Sequence, residues 1–329
     1  MGNYLSEMEF GQTKQQQVIM KTALLFSGQG SQYVGMLADI YGKESQAKEL
    51  IDRANTILAY KLSDICFAGP AEKLKETRFT QPALFLHSAV AFSLLKNKLE
   101  YDAVAGHSVG EYAALFAAGV LSFDDAIKLV SIRGELMFKA GEQEPGTMFA
   151  VINLDDARVE AVCKELSENG NGNVVVPANY NCPGQIVVSG SADYLRENAK
   201  MFKEAGARIV KELQVSGAFH SPLLKSAKED LANAISEIEF ADAKVPVYPN
   251  VYATPVTSGK ELKQSLIEQL MLPVKWTQTL KNMNAQGISR YIELGPSSVL
   301  QGLVKRTLSD VTIEGYDKAE DIEKILYKN

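Results

Sequence analysis

One segment indicates both the fold class and a reactive serine: Ala103-Val-Ala-Gly-His-Ser-Val-Gly-Glu111. It places Ser108 between a predicted strand and a predicted helix. A short apolar run enters the turn Gly106-His-Ser-Val-Gly110, and the helix-forming run Glu111-Tyr-Ala-Ala-Leu-Phe-Ala-Ala118 leaves it. In that setting G-x-S-x-G is typical of a nucleophile elbow, with the serine exposed at its tip. The helix that follows directs backbone N–H groups and its positive dipole end toward an oxyanion. Ser108 is therefore the candidate nucleophile; a surface serine in an ordinary turn is the alternative.

A serine hydroxyl needs a base to take its proton, and the chain offers three histidines. His87 lies in an apolar helical run, which favours a structural role in the core. His107 adjoins the serine, and since adjacent residues in an elbow point apart, we expect it to line the site. His220 follows a strand-like run in a loop segment that stops at a proline, where site residues concentrate. His220 is the candidate base.

Composition limits the classes of function. The 329 residues suggest about two domains, and the net charge of −6 disfavours nucleic acid as the main partner. Cys66, Cys163 and Cys182 lack metal-ligand spacing, so we expect reduced thiols, no metal site and a cytoplasmic location. No apolar run approaches the ~20 residues that cross a bilayer, and we expect no membrane association.

The chain divides into a leader, a main domain and an insertion. Residues 1–19 are polar and lack a signal-peptide pattern, and we expect them to be disordered. In residues 20–146 and 215–329, strands alternate with helices, which predicts an α/β domain with a parallel sheet covered on both faces. Residues 147–214 follow the order βαββαβ of the ferredoxin-like split unit.

Four patterns in the main domain predict individual elements. Helical periodicity predicts helices over residues 33–60, 82–99 and 222–238. The run Val245-Pro-Val-Tyr-Pro-Asn250 is typical of a strand.

The glycine-rich turn Ser27-Gly-Gln-Gly-Ser31 follows the first predicted strand, Lys21-Thr-Ala-Leu-Leu-Phe26. It lacks the ending of a Walker A loop and the glycine spacing of a dinucleotide fingerprint. It could still cradle a phosphate group. Its other possible use is to bring a backbone N–H beside Ser108 as a second oxyanion donor.

Taken together, six motifs resemble those of the malonyl-CoA:acyl carrier protein transacylases, in the same order, over residues 20–308. They are Gly28-Gln-Gly-Ser-Gln32, Gly106-His-Ser-Val-Gly-Glu-Tyr112, Ile132-Arg-Gly134, Ala218-Phe-His220, Gln269-Leu270 with Pro273-Val-Lys-Trp276, and Glu293-Leu-Gly-Pro296. The resemblance implies a hydrolase-like parallel sheet core with an inserted ferredoxin-like subdomain, which the predicted strand order suggests independently.

The resemblance implies a role for each matching residue. Ser108 and His220 match the catalytic nucleophile and base. Arg133 matches the arginine that grips the free carboxylate of the malonyl group. The backbone N–H groups of Gln29 and Val109 match the oxyanion donors.

Further residues match supporting positions. The main-chain carbonyl of Gln269 matches the group that orients the histidine in place of a triad aspartate, and Asn250 helps to hold that region. Gln81 falls where the family lines the pocket. Phe219 is expected to crowd an α-methyl branch. Gly217-Ala218 before it departs from the family's usual tetrapeptide.

The implied activity is transfer of the malonyl group from malonyl-CoA to the phosphopantetheine thiol of acyl carrier protein, through a malonyl-serine intermediate, for fatty acid biosynthesis. We expect no cofactor and a monomer. The same enzyme chemistry could instead serve a polyketide synthase. A serine hydrolase needs an acid between nucleophile and histidine, where Asp155 and Asp193 fall inside the insertion. A catalytically silent carrier-binding module is the non-enzymatic alternative.

An acidic carrier protein would need a basic surface beside the pocket. Lys203, Arg208 and Lys211 in the insertion are candidates, as are Lys305 and Arg306 in the main domain. Solvated surface charge is the alternative for each of them.

Overall fold

The structure is a computed structural model that describes residues 20–328, so the predicted leader lies outside the described residues. The strands are β1 (Lys21–Phe26), β2 (Ala103–Gly106), β3 (Gly146–Ile152), β4 (Val175–Cys182), β5 (Gln185–Ser191), β6 (Ile209–Glu212), β7 (Ile288–Leu294) and β8 (Thr312–Tyr316). The helices are α1 (Ala38–Lys43), α2 (Ser45–Leu58), α3 (Leu62–Ala68), α4 (Ala71–Lys75), α5 (Thr77–Leu95), α6 (Gly110–Ala117), α7 (Phe123–Gln143), α8 (Asp156–Asn169), α9 (Ala192–Asn198), α10 (Lys200–Glu204), α11 (Lys225–Ser236), α12 (Gly259–Glu268), α13 (Trp276–Ala285), α14 (Val299–Thr307) and α15 (Ala319–Leu326). Among these helices, none is long and apolar enough to cross a membrane.

The main domain is built on a parallel sheet with the strand order β2-β1-β7-β8. Phe26 at the end of β1 is paired with Gly106 at the end of β2. Parallel strands present their carboxyl ends at one edge of a sheet, where α/β proteins bind ligands. The glycine-rich turn after β1 and the serine elbow after β2 therefore emerge side by side.

The insertion, residues 147–214, has its own antiparallel sheet and core. Its strands lie in the order β4-β5-β3-β6, with α8 between β3 and β4 and with α9 and α10 between β5 and β6. This is the strand order of a ferredoxin-like βαββαβ unit. The predicted fold class, an α/β parallel sheet core with this insertion, is confirmed.

Two helices predicted before the insertion differ from the observed ones. The helix predicted over residues 33–60 is two helices, because Glu44 between α1 and α2 has extended backbone angles. The helix predicted to start at Pro82 starts at Thr77, with the proline inside α5. Proline lacks an N–H and normally disrupts a helix interior. Here nearly every residue of α5 from Thr80 onward is buried, and this packing holds the helix through the proline.

One strand and one helix predicted after the insertion also differ from the observed elements. Residues 245–250 do not form a strand: Val247 makes isolated bridges to Val104 and Val256. Pro246 and Pro249 lack the N–H groups that a ladder requires, which explains the interruption. The helix predicted over residues 222–238 is a 3₁₀ turn followed by α11.

Candidate active site

The elbow holds Ser108 in a strained backbone conformation between β2 and α6. Its φ is 52°, in the left-handed region that non-glycine residues seldom adopt. A Cβ on Gly106 would overlap the main chain of Gly110, and a Cβ on Gly110 would overlap the Phe26 carbonyl. Only glycine fits at these two positions, so the G-x-S-x-G spacing follows from the close approach of strand, turn and helix.

Ser108 and His220 form a hydrogen-bonded pair. The Ser108 Oγ lies 2.8 Å from the His220 Nε2. On the other side of the ring, His220 Nδ1 lies 2.8 Å from the Gln269 carbonyl oxygen and 3.2 Å from that of Leu272. Carbonyl oxygens only accept, so Nδ1 bears the proton and Nε2 is free to accept the serine proton.

Burial keeps this imidazole neutral. Desolvation, with a smaller contribution from the Arg133 charge, lowers the pKa of His220 to about 3. The ring is therefore unprotonated at neutral pH, as a general base must be.

Arg133 on α7 is a buried cation beside the serine. Only 1% of its surface is exposed. Its Nη1 donates to Gln81 Oε1 at 2.6 Å, and its Nη2 donates to Gln269 Oε1 at 3.0 Å and to Ser108 Oγ at 3.1 Å. These acceptors are uncharged, and its Nε has no hydrogen-bond partner among residues 20–328. Burial lowers the pKa of Arg133. Such a cation favours an anionic ligand.

These groups line a cavity of about 160 Å³ between the main domain and the insertion. The main domain contributes Gln29, His107, Ser108, Val109, Arg133, Met137, Val215, Phe219 and His220. The insertion contributes Met148, Asn179, Asn181, Val187 and Leu213.

Asn250 holds the backbone of the elbow with two side-chain hydrogen bonds. Its Oδ1 accepts from the Ser108 N–H at 2.7 Å, and its Nδ2 donates to the Gly106 carbonyl at 2.7 Å. Gln269 Nε2 donates to the Ser108 carbonyl at 3.0 Å. These three hydrogen bonds hold the strained Ser108 backbone in place and keep its side chain directed at His220.

The structure brings most of the predicted site residues together. Gln29, Val109, His107 and Phe219 line the cavity. The backbone N–H groups of Gln29 and Val109 donate to no backbone or side-chain acceptor among residues 20–328, which leaves them available to a ligand. Gln81 differs from the expectation, because it does not line the cavity but lies behind Arg133.

The remaining histidines occupy different places. His107 Nε2 lies 2.9 Å from Asn181 Oδ1 of the insertion, and its ring packs edge-on against Trp276. His87 is fully buried in α5, with Nε2 3.0 Å from Asp317 Oδ1, away from the cavity. Among residues 20–328, no group of three metal-ligating side chains could hold an ion.

Sequence reasoning missed Asn179 and Asn181, which face the cavity from β4. Asn181 lies at a bulge, since the pairing of β4 with β5 shifts between Tyr180 and Cys182. Polar side chains alternating along a strand of an otherwise apolar cavity wall were the signal that could have found them.

Comparison with known proteins places the chain in one family. The model of the acyl transferase domain matches residues 23–325. The malonyl CoA-acyl carrier protein transacylase of Staphylococcus aureus is 42% identical over 303 residues, covering 92% of this chain and 97% of the relative. The enzyme of the same name from Bacillus subtilis is 43% identical over 287 residues, covering 87% and 90%.

Solved structures agree with this assignment. An acyl carrier protein S-malonyltransferase from Vibrio cholerae superposes with a TM-score of 0.88 at 38% identity, covering 93% of this chain and 99% of that one. A malonyl-transacylase solved in complex with a type II PKS acyl-carrier protein gives 0.88 at 35%, covering 94% and 100%. The predicted family is confirmed: the chain is an acyltransferase that belongs to the malonyl CoA-acyl carrier protein transacylases.

Proposed function

We propose that this protein carries the malonyl group from malonyl-CoA to the phosphopantetheine thiol of acyl carrier protein, through an ester on Ser108. The observation that carries the proposal is the buried Arg133 guanidinium beside the Ser108–His220 pair. A nucleophile next to a buried cation whose hydrogen-bond acceptors are all uncharged suits an acyl group that ends in a carboxylate.

Acylation begins when His220 Nε2 takes the Ser108 hydroxyl proton. The Oγ attacks the thioester carbonyl, and the negative charge moves to the carbonyl oxygen. The N–H groups of Gln29 and Val109 are the donors we assign to this oxyanion. Collapse of the tetrahedral intermediate breaks the C–S bond, and His220 returns the proton to the sulfur of CoA.

Arg133 sets the position of the acyl group. A guanidinium presents paired N–H donors in one plane, which match the two oxygens of a carboxylate. The malonyl carboxylate would replace neutral acceptors with an anion in a buried site. This interaction favours malonyl over acetyl and holds the thioester carbon near Ser108.

Transfer to the carrier reverses the chemistry with a different thiol. His220 accepts the proton of the phosphopantetheine thiol, the sulfur attacks the malonyl-serine ester, and the proton returns to Ser108 Oγ. The phosphopantetheine belongs to the partner, so we propose that the enzyme needs no cofactor of its own. Buried apolar walls at Met148, Val187 and Phe219 limit access of water to the waiting ester.

Fatty acid synthesis is the pathway we propose, in the cytoplasm and with the protein as a monomer. The names of the curated relatives support the acyl carrier protein as partner. The three cysteines are free and buried, which suits a reducing compartment. The neighbour bound to a type II PKS carrier supports the second candidate, supply of malonyl units to a polyketide synthase.

Intact-mass measurement after mixing with malonyl-CoA tests the proposal, beside a Ser108→Ala control. We expect a malonyl adduct that requires Ser108 and is discharged by holo acyl carrier protein. An adduct that decays in water and ignores the carrier would identify a hydrolase instead. Absence of any adduct would contradict the proposal. Comparing discharge rates between fatty acid and polyketide carriers separates the two pathways.

A further inference from the structure

Glu111 is a fully buried carboxylate beneath the elbow that the mechanism above does not use. It lies in the first turn of α6, three residues after Ser108. Its Oε2 accepts from the backbone N–H of Asn250 at 2.8 Å and from Gln269 Nε2 at 2.9 Å. Its Oε1 has no hydrogen-bond partner among residues 20–328. A single oxygen therefore joins two loops that are distant in sequence.

The two residues that Glu111 holds are the ones that position the reacting groups. Asn250 accepts from the Ser108 N–H, and the Gln269 carbonyl accepts from His220 Nδ1. The Gln269 side chain donates through Nε2 to the Ser108 carbonyl and accepts through Oε1 from Arg133. Turning this amide over would set its NH₂ group against the Arg133 guanidinium. Glu111 and Arg133 together fix which way the amide faces.

The groups around the Glu111 carboxyl group act on its pKa in opposite directions. Burial raises the pKa of Glu111 to about 7, while the Asn250 and Gln269 hydrogen bonds and the Arg133 charge oppose the shift. A buried carboxyl group is costly to the fold unless donors converge on it. Here both donors come from site loops.

We infer that Glu111 is a positioning residue for acyl transfer, which acts by holding the Gln269 amide and the Asn250 backbone with one accepting oxygen. This inference rests on the proposed function, because one of its tests measures acylation of Ser108 by malonyl-CoA. Glu111 does not touch the substrate in this role. It acts through Gln269 on His220 and Arg133, and through Asn250 on Ser108.

Two variants separate the accepting oxygen from the charge. Glu111→Gln keeps an oxygen at the Oε2 position and removes the charge. Glu111→Asp keeps the charge and withdraws the oxygen by one methylene. Glu314→Gln is the matched control, since Glu314 on β8 accepts from Arg290 and from the Tyr316 hydroxyl, and none of these residues lines the cavity.

Two reactions of Ser108 are followed by intact mass in each folded variant, below its unfolding transition. One is malonylation by malonyl-CoA over a range of concentrations. The other is sulfonylation by phenylmethylsulfonyl fluoride, which needs the Ser108–His220 pair but has no carboxylate for Arg133. The second reaction tests Glu111 even if malonyl-CoA proves not to be the donor.

For Glu111→Asp we expect both rate constants to fall about 10²-fold, as a displacement near 1 Å can cause, with little change in half-saturation by malonyl-CoA. Glu111→Gln and the control should stay within about fivefold of wild type, because the geometry is kept. A Glu111→Gln enzyme slower than Glu111→Asp would overturn the inference, as would a Glu111→Asp enzyme matching the control. Wild-type sulfonylation without malonylation would instead count against the proposed function.

Discussion

The two walls of the cavity are built on different principles. On the main-domain side, Ser108, His220 and Arg133 are held by hydrogen bonds to buried amides and carbonyls. On the insertion side, the apolar side chains of Met148, Val187 and Leu213 line the cavity together with Asn179 and Asn181. Groups that react must be held in a fixed geometry, whereas side chains that only bound the cavity need to fit the shape of the ligand. We propose that the main domain supplies the reacting groups and the Arg133 contact, and that the insertion shapes the rest of the acyl pocket.

The largest expected effect comes from removing the nucleophile on the main-domain side. Ser108→Ala should lower malonyl transfer by about 10⁶-fold, as loss of a catalytic serine does in serine proteases. The measurement is transfer to holo acyl carrier protein under saturating substrate. Folding is checked by thermal unfolding of the variant. Activity retained within tenfold would mean that chemistry does not pass through this residue.

Arg133→Ala tests whether the buried cation recognises the acyl carboxylate. Leaving a buried charge without its partner costs about 3–5 kcal/mol, which corresponds to roughly 10²–10⁴ in kcat/KM for malonyl-CoA. With acetyl-CoA, which lacks the carboxylate, we expect a much smaller loss and a relative gain. Kinetics with both donors decide the matter. Equal losses for both would assign Arg133 a structural role.

The pH dependence of acylation tests the environment of the base on the same wall. Because the pKa of His220 is lowered to about 3, the neutral, reactive imidazole persists well below the usual histidine pKa. Ser108 acylation should therefore show no histidine-type loss as the pH falls through about 6.5, the ordinary value. Arg133→Ala removes one cause of the lowering and should move the acid limb to higher pH. Stopped-flow acylation at each pH measures both, and a wild-type limb near the ordinary value would contradict the burial argument.

The smallest expected effect lies in the insertion. Val187 is a buried wall residue, and Val187→Ala should change kcat for malonyl by less than about threefold, because no reacting group depends on it. The added space should raise acylation by methylmalonyl-CoA relative to malonyl-CoA. Competition between the two donors, read by mass, tests this. A loss with malonyl as large as that of Arg133→Ala would erase the contrast between the two walls.

The sequence predicted the elements that depend on local rules. The strand–turn–helix pattern identified the elbow because only glycine avoids overlap at Gly106 and Gly110. The order of strands and helices in residues 147–214 predicted the ferredoxin-like sheet. Local rules failed where long-range packing decided, as in α5, which continues through Pro82 because its surroundings are buried.

The amino-acid sequence by itself therefore determined the α/β class, the insertion and the candidate serine, since each depends on patterns within single elements and on the order of those elements along the chain. Tertiary structure decided the hydrogen-bond network around that serine. Arg133 and Gln269 are 136 positions apart, and Gln269 and Glu111 are 158 apart. No periodicity relates residues at such distances. Their contacts arise because α6, α7 and the C-terminal end of α12 meet beside the elbow, where burial strengthens every charge and hydrogen bond.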